Sequence, residues 1–187
     1  MGPLSCQAMG LTSVFTKNFF HFFHYPSPMS DSPRRLYFAY GSNLSRAQMA
    51  ERCPAALPLA PYALGGHRLE FVGAGTARWG RGGVATVVPQ SGSSVPGALW
   101  LLTPECEAAL DHFEGIASGH YFRDEQLMQH DGNPVLIYIA TAERGAANKP
   151  NRKYLDVIRE GYVNWQLDTA GLDALEHYGL DEGWPPA

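Results

Sequence analysis

From Arg35 onward, apolar residues gather into short runs broken by Gly and Pro, the pattern of strands rather than of long helices. The runs Leu36 to Tyr40, Arg68 to Val72, Val84 to Val88, Gly97 to Leu102, Tyr121 to Gln129 and Val135 to Ala142 are read as strands. Helical spacing appears in only a few places. Ser45 followed by Gln48 is a capping box that opens a short helix running to about Arg52 and stopped by Pro54. Thr103 and Pro104 supply an N-cap and a first-turn proline. The apolar residues Cys106, Ala109, Leu110 and Phe113 then recur at i, i+3, i+4 and i+7, a face that should pack on a sheet.

A third helix should begin after Lys149-Pro150-Asn151, with Tyr154, Val157, Ile158, Tyr162 and Trp165 along one stripe, and a brief fourth around Leu172 to Tyr178. Strands outnumber helices and mostly lack βαβ spacing. An α+β domain follows, with a mixed, largely antiparallel, barrel-like sheet and a few packed helices. Residues 34–187 are assigned to this domain. Residues 1–33, rich in Ser, Pro and Phe, show no clear periodicity and read as a disordered or weakly docked extension. The patch Phe19, Phe20, Phe22 and Phe23, with His21 and His24, leaves open a partner-docking helix or a secretion-like segment, although no Ala-x-Ala pattern follows it.

Charge and cysteine content narrow the functional classes. A net charge of -4 offers no basic surface against phosphates, which argues against nucleic acid as a partner. Cys6, Cys53 and Cys106 form no CxxC pair, so neither a zinc site nor a disulfide framework is indicated, and a reducing, cytoplasmic setting is expected. The apolar stretch from Val14 to Tyr25 is too short and too interrupted by polar residues to span a bilayer, so no membrane association is expected.

Three segments carry candidate chemistry. Leu36-Tyr37-Phe38-Ala39-Tyr40-Gly41-Ser42-Asn43-Leu44 runs from a strand through Gly-Ser-Asn into a capped helix. Its converging backbone amides make a seat for a carboxylate or an oxyanion, with Gly41 permitting close approach and Asn43 tolerating left-handed backbone. A plain turn is the alternative. In Leu110-Asp111-His112-Phe113-Glu114-Gly115, Glu114 sits in the last helical turn, where the helix dipole and the like-charged Asp111 and Glu107 should raise its pKa. The alternative there is a solvated acidic stripe ended by a Gly115 cap. The stretch from Gly73 to Gly83 matches neither a dinucleotide fingerprint nor a P-loop and reads as a loop, either flanking a pocket or merely at the surface. His112 and His120 flank Glu114 without metal-ligand spacing, and no metal site is expected.

The order and separation of these motifs resemble the γ-glutamylcyclotransferase family. The resemblance rests on Tyr40-Gly41-Ser42-Asn43-Leu44, Gly82-Gly83-Val84-Ala85-Thr86, Leu110 to Gly115, and Ser118-Gly119-His120-Tyr121. It implies conversion of a γ-glutamyl amino acid, or a related amide, to 5-oxoproline and a free amine. Glu114 would be the acid/base, Tyr37, Phe38, Ala39, Tyr40, Gly41, Ser42 and Asn43 would form the γ-glutamyl pocket, and Tyr121 and Tyr154 would close it. The same resemblance implies no cofactor, a small-molecule partner, and compatibility with a homodimer. A γ-glutamylamine- or glutathione-type enzyme, or a non-catalytic binding domain on the same fold, are the alternative readings. The Arg- and Gly-rich loop from Ala77 to Gly83 departs from the family pattern and leaves the departing amine open.

Overall fold

The computed structural model describes residues 33–168 together with Gly2. The readings for the N-terminal extension, including its Phe patch and histidines, and for the helix around Leu172 to Tyr178 lie outside the described residues.

The elements are β1 (Arg35–Ala39), α1 (Arg46–Arg52), β2 (Leu57–Val72), β3 (Gly75–Thr76), β4 (Gly80–Arg81), β5 (Val84–Leu102), α2 (Pro104–Glu114), β6 (Tyr121–Asp124), β7 (Gln129–His130), β8 (Asn133–Pro134), β9 (Ile137–Ala140) and α3 (Arg152–Trp165). Short 3-10 turns occupy Ser42–Leu44, Ile116–Ser118 and Ala142–Arg144. The named pairings are all antiparallel: β1-β5-β2 in one sheet, then β3-β4, β6-β9 and β7-β8 as two-stranded ribbons. A single parallel bridge, Tyr37 to Leu136, couples β1 to the chain entering β9 and makes the arrangement mixed. The α+β reading therefore holds.

Two strands are longer than their local sequence implies. The segments expected at Arg68 to Val72, Val84 to Val88 and Gly97 to Leu102 are parts of one ribbon of β2 and β5, which continues through Leu57 to His67 and Pro89 to Pro96. Proline and glycine disguise those stretches. Pro58 and Pro61 are tolerated because β2 is an edge strand, and Pro96 lies just before β5 gains β1 as its second neighbour at Ala98. Conversely, the run expected from Tyr121 to Gln129 stops as a strand at Asp124, and the last strand is shorter than Val135 to Ala142.

The helix ends follow their cap chemistry. Ser45 Oγ accepts from the Gln48 amide at 3.1 Å, Thr103 Oγ1 from the Cys106 amide at 3.3 Å, and Asn151 Oδ1 from the Tyr154 amide at 2.9 Å. The Ser45 box is only half made, because the Gln48 side chain turns instead to Ser42 Oγ and Asn43 Oδ1. Gly115 ends α2 in the left-handed region at φ 68°. On α2, Cys106 and Leu110 are buried as the spacing predicts, but Phe113 is 46% exposed and lies under the Arg52 guanidinium at 4.5 Å. Helix α3 buries Tyr154, Leu155, Ile158, Tyr162 and Trp165. Gly161 lets it meet the 3-10 turn: a Cβ there would stand 2.2 Å from Leu44 Cβ. Trp165 donates to the Leu44 carbonyl at 2.9 Å and packs edge-on against Trp100 of β5, so α3 holds the turn against the sheet.

Candidate active site

The C-terminal end of β1, the following 3-10 turn, the last residue of α2, the start of β5 and the first turn of α3 converge on one cleft. Its inner part is lined by Tyr37, Tyr40, Gly41, Ser42 and Asn43 together with Ala85, Glu114, Tyr121, Tyr138 and Tyr154. Thus Tyr37, Tyr40, Gly41, Ser42, Asn43, Glu114, Tyr121 and Tyr154 are brought together as the sequence implied. Phe38 and Ala39 are fully buried outside this lining, where the Phe38 ring packs edge-on against Tyr62. Ala85 and Tyr138 were not anticipated.

Among the described residues Glu114 is the only carboxylate in the lining, and its side chain is 16% exposed. Its Oε1 accepts from Asn43 Nδ2 at 3.0 Å. The same amide donates to the Tyr37 hydroxyl at 2.9 Å, while Asn43 Oδ1 accepts from Arg52 Nη1 at 2.8 Å and Gln48 Nε2 at 3.0 Å. Those two donors fix the amide orientation, since the flipped rotamer would set NH2 against NH. Asn43 keeps a negative φ, so its side chain, rather than the left-handed tolerance expected of it, is its contribution. Arg52 Nη1 lies 3.8 Å from Glu114 Oε1.

Burial pushes the Glu114 pKa above the ordinary carboxylate range, opposed by Arg52, the Asn43 hydrogen bond and Arg144. The direction matches the sequence reading and the cause does not. Asp111 and Glu107, one and two turns back on α2, are paired with other groups instead: Arg123 binds Glu107 at 2.6 Å and Asp111 at 3.1 Å, Arg35 binds Glu107, and the Tyr138 hydroxyl donates to Asp111 at 2.7 Å.

The phenols are neutral donors and acceptors. Burial raises the pKa of Tyr37, Tyr40, Tyr121 and Tyr138, and that of Tyr154 to about 12. Both backbone groups of Ala85 are tied to this ring, its amide donating to the Tyr154 hydroxyl at 3.1 Å and its carbonyl accepting from Tyr121 at 2.8 Å. Gly41 suits a close approach, because a Cβ would stand a tight 3.1 Å from Ala85 Cβ and 3.2 Å from the Tyr154 oxygen. The chain then enters the 3-10 turn before α1, so amides 41–43 belong to the start of that turn rather than to the α-helix.

The Gly73 to Gly83 stretch is the turn of the β2-β5 ribbon and walls an outer cleft of about 430 Å³ that opens from Glu114. Asn151 Nδ2 holds it by donating to the Trp79 carbonyl and, at 2.9 Å, to the Arg81 carbonyl, while the Trp79 ring packs at a tilt on Tyr154, 5.0 Å between centroids. Gly82 and Gly83 let it lie against 148–151, where a Cβ on Gly83 would come 2.3 Å from the Asn148 carbonyl. His112 and His120 line the same outer cleft. Among the described residues no group of three His, Cys, Asp or Glu side chains is placed to hold a metal, and no helix is long and apolar enough to cross a membrane.

The family model described as gamma-glutamyl cyclotransferase, AIG2-like, matches residues 37–167. The chain belongs to this family. Gamma-glutamylcyclotransferase of Mus musculus is 32% identical over 124 residues, spanning 63% of this chain and 65% of its own length. Its Bos taurus counterpart is 35% identical over 116 residues, spanning 60% of this chain and 55% of its own. The alignments thus cover less than two thirds of these cyclotransferase relatives. A solved gamma-glutamyl cyclotransferase structure superposes with a TM-score of 0.67 at 27% identity, over 77% of this chain and 87% of that one. The matched stretch contains every residue of the inner cleft.

Proposed function

We propose that this protein is a γ-glutamylcyclotransferase in which Glu114 carries the proton. The reading rests on family membership and on one observation above all: a single carboxylate, its pKa raised by burial and one oxygen fixed by Asn43, closes a pocket otherwise lined by neutral hydroxyls and backbone.

A γ-glutamyl amide contains its own nucleophile. The α-amine attacks the side-chain carbonyl, a five-membered lactam forms, and the amide C–N bond breaks. No enzyme nucleophile is consumed, so orientation accounts for much of the rate. The amine must lose a proton and the departing nitrogen must gain one, and a carboxylate with a raised pKa performs both transfers. With the phenols held protonated, Glu114 is the only lining side chain suited to this at neutral pH. Amides 41–43 and the hydroxyl of Tyr154, which accepts from Ala85, are assigned to holding the γ-glutamyl group and the developing oxyanion, while Tyr121, whose proton goes to the Ala85 carbonyl, offers the substrate an acceptor.

Glu114→Gln tests the assignment. It keeps the shape and removes the base, so release of 5-oxoproline from γ-glutamyl dipeptides should fall by about two to four orders of magnitude while the substrate still binds. Near-normal turnover by that variant would falsify the role given to Glu114.

A further inference from the structure

The outer cleft has a charge imbalance that proton transfer does not explain. Among the described residues its lining includes the guanidinium groups of Arg52, Arg78 and Arg144, with Glu114 as the only carboxylate. Arg52 already serves Asn43, but Arg144 has no such duty: its Cζ lies 5.3 Å from the Tyr121 ring centroid, and its Nε is buried without a hydrogen-bond partner among the described residues. A buried, unpaired guanidinium donor is costly unless a ligand completes it. Arg78 faces the same space from the ribbon turn, resting on Trp79 at 5.1 Å and reaching the exposed Glu51 only at 3.5 Å.

The two arginines are joined through their backbones. The turn carrying Arg144 lies against Gly73, at the base of the loop that carries Arg78: a Cβ on Gly73 would stand 2.7 Å from the Arg144 carbonyl, and the Gly73 amide donates to Ala146 at 3.0 Å. Two donor-rich cations therefore sit on adjoining walls, just beyond the carboxylate that handles the departing nitrogen.

We propose that Arg144, assisted by Arg78, is a specificity-determining residue that binds a carboxylate of the leaving group. This rests on the cyclotransferase reading above. When the departing amine is an α-amino acid, its carboxylate lies two bonds from the scissile nitrogen, within reach of the outer cleft once the glutamyl group fills the inner one. Guanidinium is suited to it because its planar donors match a carboxylate in paired fashion. Leaving groups without a carboxylate strand Arg144 and are disfavoured.

The test compares γ-glutamyl-L-alanine with γ-glutamyl-L-alaninamide, which differ only in that charge, by kcat/KM for 5-oxoproline release. The parent protein should prefer the acid by about tenfold to a hundredfold, less than an enclosed site achieves because the cleft is open to water. Arg144→Gln should bring the acid-to-amide ratio close to one, Arg144→Lys should keep part of it, and Arg78→Gln should lower it several-fold. The ratio cancels any common effect of losing Arg144 on Glu114 titration. Arg78→Gln, in the ribbon turn, carries the test should Arg144→Gln not fold. A parent ratio near one, or a ratio unchanged in both glutamine variants, overturns the subsite while leaving the cyclotransferase reading intact. No 5-oxoproline from either compound overturns both.

Discussion

Replacing Asn43 with Ala isolates the side chain on which the geometry of the cleft depends most. It removes two donated and two accepted hydrogen bonds, to Tyr37 and Glu114 and from Gln48 and Arg52. At about 1 kcal/mol net for each bond, and somewhat more where a buried donor is left bare, the loss should be about 3–5 kcal/mol. For a domain of this size that is a fall in Tm on the order of 10–15 °C. The second consequence separates a tuning role from a scaffolding one. The Asn43 amide stabilises ionised Glu114 and so holds its pKa below the level burial alone would set. Without that bond the pKa climbs further, the base form appears only at higher pH, and the acidic limb of kcat/KM for 5-oxoproline release should move upward. The assay is a pH profile taken well below the melting point, beside a thermal melt. An acidic limb that stays in place, or moves down, while Tm falls as expected would refute the tuning argument.

Two further predictions follow from the same site. Because burial raises the folded-state pKa of Glu114, its contribution to stability is fully present below the unfolded carboxylate pKa of about 4.3 and is lost as pH rises through the folded value. Glu114→Gln should therefore melt higher than the parent near pH 7.5, with a gain that shrinks toward pH 4; equal or lower Tm at pH 7.5 would contradict this. Gly161→Ala, which in an exposed helix would stabilise by nearly 1 kcal/mol, should instead lower stability by about 1–3 kcal/mol and reduce turnover, because its Cβ meets Leu44 in the turn that presents Ser42 and Asn43; a stabilised, fully active variant would show that α3 does not set the position of that turn.

The local motifs were the legible part of the molecule. Strand β1, the caps at Ser45 and Thr103 and the start of α3 after Asn151 could be read because cap chemistry is a short-range property, whereas the pairing of the Tyr40 to Asn43 segment with Glu114 came only through the family resemblance. What escaped was set by distant partners. The stretches Leu57 to His67 and Pro89 to Pro96 do not read as strand, since proline and glycine in a ribbon look the same as proline and glycine in a turn until the neighbouring strand is known. Arg52 was simply the last residue of a short helix, and only the packing of Phe113 and Glu114 against it makes it part of the site. Asn43 was valued for backbone freedom it does not use, because the carboxylate it holds lies 71 residues downstream. Asp111 and Glu107 pointed to the right shift for the wrong reason, as their partner Arg123 arrives on a separate strand.

The ribbon of β2 and β5 separates two kinds of evolutionary change. The inner cleft is framed by β1, the 3-10 turn, the end of α2 and the first turn of α3, all braced by buried contacts, whereas the outer wall hangs on the ribbon's closing turn at residues 73–83. Insertions, deletions and charge changes in such a turn leave the strand register behind it intact. The chemistry can thus stay constant while the clientele drifts, and diversification among related chains should concentrate in that one turn and in the Ala142–Arg144 segment facing it.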